Sequence, residues 1–247
     1  MKRTSKATAS FYDHLVTGKI KRNFLGVSKR YKTNSRVQQK FLERYFDRNV
    51  SRFIEIENRV LDFGCGSGIF SRRIAKYSGY VEGVDISHGF IKLAESESSQ
   101  LQNIRFHFID NSDSFFNSNI ETFDILLCVD VIHHLENPLN QLDLPLKTLK
   151  QNGKVLIYEP NLLNPLILLM HLLDPNERGL MKLGTRKRYR RILEEYGLQI
   201  EEIEYNGIVI GPANHFFWLM SKFLEIRVFR SLRWLNPKIF IYCIKKV

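Results

Sequence analysis

The sequence predicts an α/β fold with a mostly parallel sheet and helices on both of its faces. Five short apolar segments are separated by helical patterns, which is the order of strands joined by crossover helices. The segments cover residues 59–63, 81–87, 103–110, 123–130 and 152–160. The first four carry an acid at or near their end, namely Asp62, Asp85, Asp110 and Asp130. Because ligands bind at the carboxyl ends of parallel strands, these acids predict a binding site at one edge of the sheet.

The first strand runs into a glycine loop. Gly64, Gly66 and Gly68 stand at every second position after Asp62, and a glycine loop between a buried strand and a helix lets backbone N–H groups approach a ligand. A dinucleotide-binding loop has its third glycine one residue later, where this chain has Ile69. The carboxylate of Asp62 also suits a ligand with an ammonium group better than a pyrophosphate. The loop therefore argues against a dinucleotide.

The second strand supplies a further carboxylate. Asp85 follows Asp62 by 23 residues, close to the spacing of about 20 at which a carboxylate reaches ribose hydroxyls. Ser87 is a good N-cap for a helix that we expect to extend to about Ser98. The spacing predicts contact between Asp85 and a ribose.

These motifs resemble those of the class I S-adenosylmethionine-dependent methyltransferases, whose first motif reads acid-x-G-x-G-x-G. The resemblance covers about residues 41–160. It implies a single domain over residues 1–247 with a Rossmann-like, doubly wound sheet of seven strands. Residues 198–205 would form strand six, and residues 238–245 would form an inserted antiparallel strand seven. It also implies that S-adenosyl-L-methionine is the cofactor.

The resemblance assigns a role to individual residues around that cofactor. Asp62, Gly64 and Gly66 would hold its methionine part, Asp85 its ribose hydroxyls, and Ile86 would pack on the adenine. Asp110 and the backbone of Asn111 would receive the adenine amino group, and a backbone carbonyl near Cys128 would meet the ammonium. The full predicted cofactor site comprises Asp62, Gly64, Cys65, Gly66, Asp85, Ile86, Asp110, Asn111 and Cys128.

Methyl transfer rests mostly on alignment of donor and acceptor, and a general base helps only where the acceptor must lose a proton. His133 and His134 follow strand four and Glu159 ends strand five, so these three are the candidate bases. A histidine in such a loop is more often a hydrogen-bonding or pocket-lining residue. Residues 10–13, Ser-Phe-Tyr-Asp, resemble an N-terminal helix that covers the site in the quinone-methyltransferase-like branch. By analogy of fold, Tyr12, His171 and His215 would line the acceptor pocket.

Charge divides the chain into three parts. Residues 1–50, which we expect to form a basic helical cap, have a net charge of +10. The cofactor-binding core, residues 51–160, has −5, and residues 161–247, which would form the substrate lid and the last strands, have +6. Basic flanks indicate either a solvated surface or attraction to an anionic partner.

The last part contains two apolar segments. Residues 160–173 are too short to span a bilayer. Residues 215–235 mix aromatic side chains with Arg and Lys, as in a helix resting on an anionic membrane surface. The same mixture suits stacking on nucleic-acid bases, and an ordinary cap helix packed on the domain would also account for it.

Three functions remain open from the sequence. The leading one is methylation of a small lipophilic acceptor, such as a quinone precursor, a lipid or a lipid-linked intermediate. The second is RNA methylation, which the net charge of +11 and the basic cluster 186–191 favour; no N/D-P-P-Y/F motif follows strand four, so nucleic acid ranks lower. The third is a non-catalytic scaffold that binds the cofactor.

The cysteine pattern indicates the compartment. Cys65, Cys128 and Cys243 have neither metal-ligand spacing nor a secreted-type framework, so we expect a reducing cytoplasm and no metal site. The basic start, Met1 to Arg3, has no apolar stretch behind it, so no signal peptide is expected. A protein at the inner face of the membrane would fit the basic flanks. The acceptor atom and the oligomeric state stay undetermined by the sequence.

Overall fold

The computed structural model describes residues 5–16, 39–40, 42–109, 114–173, 184–206 and 231–246, with residues 215, 219, 222, 223 and 226. Its centre is a seven-stranded sheet in the order β3-β2-β1-β4-β5-β7-β6. The strands are β1 Arg59–Phe63, β2 Tyr80–Asp85, β3 Ile104–Phe108, β4 Phe123–Val129, β5 Leu149–Pro160, β6 Leu198–Asn206 and β7 Lys238–Lys245. Strands β1 to β5 are parallel, and β7 is inserted antiparallel between β5 and β6. The predicted fold class is confirmed.

Helices follow most of the strands. The longer helices are α1 Ser5–Val16, α2 Ile69–Ile74, α3 His88–Glu97, α4 Ser114–Asn117, α5 Pro138–Gln141, α6 Asp143–Lys147, α7 Pro165–Leu173 and α8 Arg186–Glu195. Short helical turns cover Leu42–Asp47, Arg48–Val50, Ser51–Phe53, Ile132–His134 and Arg233–Leu235. Ser87 caps α3 as expected, since its hydroxyl accepts the Phe90 N–H at 3.1 Å.

The two faces of the sheet carry separate apolar cores because successive side chains of a strand alternate between faces. Val60 of β1 belongs to one core, with Phe46, Ile74 and Phe240. The next residue, Leu61, belongs to the other core, where helix α8 also packs through Tyr189 and Leu193. Burial on both sides explains the nearly continuous apolar sequence of the central strands.

Strand β5 begins earlier than expected. The predicted segment started at Asn152, whereas β5 starts at Leu149. Asn152 has φ of 59°, and the pairing of β4 with β5 changes register between Phe123 and Ile125. Asn152 therefore lies at an irregularity within the strand, since a bulge inserts extra residues without ending the pairing.

Polar contacts attach the flanking segments to the sheet. Arg73 of α2 forms a bidentate ion pair with Asp47, with both nitrogen–oxygen distances 2.6 Å and both side chains buried. On the opposite side, the Asn161 amide donates to the carbonyls of Arg233 and Asn236 at 2.8 Å each. The segment after β5 is thereby joined to the segment before β7.

Several predictions fall outside the described residues: Asp110, Asn111, the side chain of Met170, and most of residues 215–235, including Phe217 and Trp218. The division into residues 1–50, 51–160 and 161–247 stays a prediction. Within the described part of the chain, no helix has the length and apolarity needed to cross a bilayer.

Candidate active site

The glycine loop is fixed at the carboxyl end of β1. The N–H groups of Gly64 and Cys65 both donate to the carbonyl of Val84 in β2, at 2.9 and 3.0 Å. Gly64 has φ of 75°, and a Cβ at this position would lie 2.3 Å from Val131 Cγ2. Only glycine therefore fits between the two strand ends. At Gly66, by contrast, a Cβ would meet no atom within 4 Å, so the loop faces open space there.

Two carboxylates flank this open space. Asp62 is buried and accepts the Ser71 hydroxyl at 2.5 Å. Asp85 accepts the Gly66 N–H at 2.9 Å and the Ser87 N–H at 2.8 Å. Asp85 therefore connects the glycine loop to the start of α3. The sequence predicted its position at the end of β2 but not these two hydrogen bonds.

Burial favours the protonated form of both carboxyl groups in the ligand-free protein. It raises the pKa of Asp62 to about 7, helped by the charge of Asp85 and opposed by the Ser71 hydrogen bond. Burial also raises the pKa of Asp85 to about 6, although the N–H groups of Ser87 and Gly66 stabilise its charged form. A bound cation would favour the charged form of both groups. The donor set therefore fits a ligand with ammonium and sulfonium groups.

Cys65, Ile86 and Cys128, the other predicted cofactor residues that the structure describes, lie along the same edge. Cys65 is buried in the glycine loop, where burial, with the charges of Asp85 and Asp62, raises the pKa of its thiol well above the usual range. The thiol is therefore neutral. Ile86 is partly buried after β2, and Cys128 is buried near the end of β4, paired with Phe63 of β1.

The loop after β4 carries the two candidate histidines. It starts at Asp130, whose φ of 54° is in the left-handed region, where a non-glycine residue is uncommon and asparagine and aspartate are the usual exceptions. The Lys238 ammonium pairs with the Asp130 carboxylate, and Lys238 is buried. The helical turn Ile132–His134 follows. A long-range ion pair therefore fixes the point where the chain leaves the sheet.

Glu159, at the end of β5, lies at the centre of this half of the site. One of its oxygens, Oε1, accepts the N–H groups of Val131 and Ile132 at 2.9 and 2.8 Å. The other, Oε2, lies 2.5 Å from His133 Nδ1. Because the side chains of His133 and Glu159 are only 2% and 0% exposed, this pair is shielded from water. Because both Glu159 oxygens also accept hydrogen bonds from other donors, Nδ1 is the donor in this contact, and Nε2 is then the ring nitrogen with the lone pair.

Helix α1 contacts both halves of the edge. Asp13 Oδ1 accepts the Ser87 hydroxyl at 2.6 Å and the Gly89 N–H at 2.8 Å, at the start of α3. The neighbouring Tyr12 places its hydroxyl 3.0 Å from His134 Nε2. The Phe-Tyr-Asp segment is therefore bound on one side to the start of α3 and on the other to the histidine loop.

The remaining predicted residues separate into two groups. The His171 ring, on α7, lies 6.0 Å from the His133 ring, centroid to centroid, and its Nδ1 lies 2.7 Å from the Ile167 carbonyl. His171 is buried beside the candidate bases. His215 is exposed, and no contact to the site is described for it. Tyr12, His133, His134, His171 and Glu159 are thus brought together.

Two side chains of this cluster were missed in the sequence. Tyr189 of α8 is buried, and its hydroxyl donates to Glu159 Oε2 at 3.2 Å. The only sequence signal is that Tyr189 and Leu193 share one face of a helix whose other positions are mostly charged. Lys238 had no signal, because a lysine at a strand start is ordinarily solvated.

Comparison with known proteins identifies the family of this arrangement. The family model described as a methyltransferase domain matches residues 37–203. The chain is 31% identical over 108 residues to a ubiquinone biosynthesis O-methyltransferase of Hydrogenovibrio crunogenus, an alignment that covers 43% of this chain and 44% of that protein. The chain thus spans under half the length of this relative.

Two further similarities cover more of the chain. A ubiquinone biosynthesis O-methyltransferase of Idiomarina loihiensis is 25% identical over 182 residues, covering 71% of this chain and 74% of that protein. The crystal structure of a SAM-dependent methyltransferase from Archaeoglobus fulgidus superposes with a TM-score of 0.62 at 19% identity, covering 88% of this chain and 98% of that one. That level of identity shows a shared fold. The chain therefore belongs to the methyltransferase domain family and has the fold of the class I S-adenosylmethionine-dependent methyltransferases.

Proposed function

We propose that this protein transfers a methyl group from S-adenosylmethionine to a small lipophilic acceptor. The observation that carries the proposal is the close approach of the glycine loop to the histidine loop, where Gly64 leaves no room for a Cβ against Val131. This contact sets the predicted cofactor loop directly beside the candidate bases. Proximity of donor, acceptor and base is the main requirement of the reaction.

The chain's own residues have defined tasks in this proposal. Asp62 and Asp85 would hold the cationic and ribose parts of the cofactor, and Asp110 and Asn111 the adenine. When bound, the cofactor supplies an electrophilic sulfonium methyl group. The histidine loop would face the acceptor, whose hydroxyl we propose as the nucleophile, because the two relatives above are named O-methyltransferases.

The lid side of the molecule supports a lipophilic acceptor. Helix α7 exposes Leu166, Leu169, Leu172 and Leu173, although a short surface helix usually turns such residues inward. Exposed apolar residues that form a patch mark a binding surface more often than single ones do. Together with the net charge of +6 over residues 161–247, these leucines support a peripheral position on an anionic membrane, from which a lipophilic acceptor would enter.

RNA methylation is the second candidate, because the basic residues of helix α8 could bind phosphate groups. The structure weakens that argument, because Arg190 and Arg191 form ion pairs with Glu194 and Glu195 one turn away. A paired arginine has less charge available for a phosphate. We therefore keep the lipophilic acceptor as the leading proposal.

Cofactor binding is the first test. Calorimetry should give micromolar affinity for S-adenosylmethionine, and Asp85→Ala should weaken binding by roughly 1–3 kcal/mol because a charge-assisted acceptor is lost. Asp143→Ala is the matched control, since Asp143 pairs with Lys147 on α6 and should leave the affinity unchanged. Tight NAD binding without binding of S-adenosylmethionine would overturn the proposal.

The acceptor is tested by transfer of a labelled methyl group to total lipid and to total RNA. Leu168→Ala should reduce transfer to lipid, by roughly 1–3 kcal/mol for a packed apolar group, while combined replacement of Arg186, Arg188 and Arg190 by Gln should leave it nearly constant. Activity on RNA that collapses with the arginine set would reverse the ranking. Cofactor binding without transfer to either fraction would favour the scaffold.

The membrane proposal is tested separately with anionic vesicles. The protein should sediment with them at low salt and be released near 1 M salt, where the Debye length shrinks to about 3 Å. Leu166→Ser with Leu169→Ser should abolish sedimentation. Leu139→Ser, at another exposed leucine, should not. A wild-type protein that stays in the supernatant would contradict the proposal.

A further inference from the structure

Tyr189 joins a surface helix to the interior of the site. It lies on α8, whose sequence is dominated by Arg, Lys and Glu, yet Tyr189 itself is buried. Its hydroxyl lies 3.2 Å from Glu159 Oε2, the same oxygen that faces His133 Nδ1 at 2.5 Å. Burial, followed by the charge of Glu159, raises the pKa of Tyr189 well above its usual range. The phenol therefore keeps its hydrogen and donates it.

Glu159 Oε2 faces His133 Nδ1 at 2.5 Å. The contacts described for the His133 ring also include the His134 and His171 rings, with centroids at 4.0 and 6.0 Å, and the charged groups of Asp130 and Lys238, at the start of the same loop, pair with each other. A carboxylate beside an imidazole stabilises the imidazolium formed when the ring accepts a proton. How strongly it does so depends on how many other donors share that carboxylate.

We propose that Tyr189 is a positioning residue that acts through Glu159 on His133, a candidate base for the acceptor hydroxyl. The inference rests on the proposed function. Tyr189 holds the Glu159 carboxylate in place, and the carboxylate holds the His133 ring with Nε2 as its basic nitrogen.

Methyl transfer to the acceptor oxygen with His133 as base balances in protons and electrons. The acceptor O–H bond would break and its proton would move to His133 Nε2, so that the ring would become an imidazolium beside Glu159. The oxygen electron pair would form the new O–C bond to the methyl group that the cofactor supplies, and the C–S electron pair would leave with the sulfur, giving a neutral thioether. No further reactant is needed.

The test is an NMR titration of the His133 imidazole nitrogens in the cofactor-free protein, assigned with His133→Gln. Tyr189→Phe removes one donor from Glu159, so the carboxylate should stabilise the imidazolium more strongly and the titration midpoint should rise by about one pH unit. Incorporation of 3-fluorotyrosine at position 189 provides a stronger donor and should lower the midpoint. Tyr196→Phe is the control. Tyr196 stands at the C-terminal end of α8, and its hydroxyl donates to the Pro138 carbonyl instead of to Glu159.

Activity gives an independent measurement. In Tyr189→Phe, the acidic limb of the pH profile of kcat/KM should move upward by the same amount, with unchanged KM for the cofactor. A His133 midpoint that is unaffected by both changes at position 189 would overturn the inference. Absence of methyl transfer by the wild-type protein would instead overturn the proposed function, and the titration would still decide whether Tyr189 acts on His133.

Discussion

The two halves of the carboxyl edge are assembled from contacts of very different range. In the glycine half, which contains Asp62, the glycine loop and Asp85, Asp85 accepts from residues 19 and 2 positions away, and Asp62 accepts from Ser71 at 9 positions. The exceptions are the contacts of Asp13, on helix α1, with the start of α3 at 74 and 76 positions. In the histidine half, Glu159 reaches His133 at 26 positions and Tyr189 at 30. The contacts of Lys238 with Asp130 and of Tyr12 with His134 span 108 and 122 positions.

The halves also differ in electrostatic balance. Burial raises the pKa of both Asp62 and Asp85, and within the described part of the chain their charged forms are stabilised by a hydroxyl and by N–H groups. In the histidine half, the Asp130 carboxylate has a lysine partner. The Asp130 carboxylate thus has a cationic partner in the ligand-free protein, whereas the contacts described for Asp62 and Asp85 include no cation. We therefore expect a bound cation to change the protonation of Asp62 and Asp85 more than that of Asp130.

The largest expected effect comes from removing the cationic partner of Asp130. Lys238→Met removes the ammonium that pairs with the partly buried Asp130 carboxylate, whose side chain is 18% exposed, and should lower the free energy of unfolding by up to about 3–5 kcal/mol in urea titrations, the range for a buried pair. The exposed pair between Lys150 and Asp124 is the control, and Lys150→Met should cost at most about 1 kcal/mol. Equal losses of unfolding free energy in Lys238→Met and Lys150→Met would show that the Lys238–Asp130 pair stabilises the fold no more than an exposed pair does.

The second effect is on the pH dependence of cofactor binding. Since the folded pKa values of Asp62 and Asp85 are raised to about 7 and about 6, a cationic ligand must displace protons from them at lower pH. Affinity should therefore rise as pH increases from 5 to 7, by up to about tenfold per pH unit for each proton released. Calorimetry in buffers of different ionisation enthalpy would count these protons.

The same pKa shifts act in the opposite direction on the ligand-free fold. Between about pH 4 and 7 the folded protein binds more protons at these groups than the unfolded chain does, so their contribution to stability is lost as pH rises through the folded pKa values. Asp85→Asn should flatten both pH dependences. Affinity that is constant from pH 5 to 8 would show that the two acids do not meet a cation.

The smallest effect separates strain from ligand contact in the glycine half. Gly66 and Gly197 have φ of 53° and 67°, and a Cβ at either would meet no atom within 4 Å. Replacement by Ala should cost about 1–2 kcal/mol of stability at both positions, from the left-handed conformation alone. Only Gly66→Ala should also weaken cofactor binding. If Gly66→Ala binds the cofactor with unchanged affinity, the cofactor does not contact this loop.

The range of the contacts explains how far the sequence could predict this molecule. The strand segments were readable because buried parallel strands are apolar throughout, and the glycine loop because its spacing is local. Asp62 and Asp85 could be assigned to the edge for the same reason. The structure confirms the inserted antiparallel β7 that the family resemblance implied.

The histidine half was predicted only as a set of candidates. His133, His134 and Glu159 were named from their positions at strand ends, but nothing in the sequence distinguished the histidine that faces the carboxylate from the one that faces Tyr12. That distinction depends on how the turn Ile132–His134 is directed by Glu159. Tyr189 and Lys238 were missed because each reaches the site from a distant element.

Helix α1 has a consequence for the order of events in turnover. Adjacent residues of one helix bind the start of α3 through Asp13 and the histidine loop through Tyr12, so the helix cannot leave one half while retaining the other. We expect its undocking to admit or release both reactants in one opening. Exchange of the cofactor and of the acceptor would then share a single rate constant, and each would slow the departure of the other.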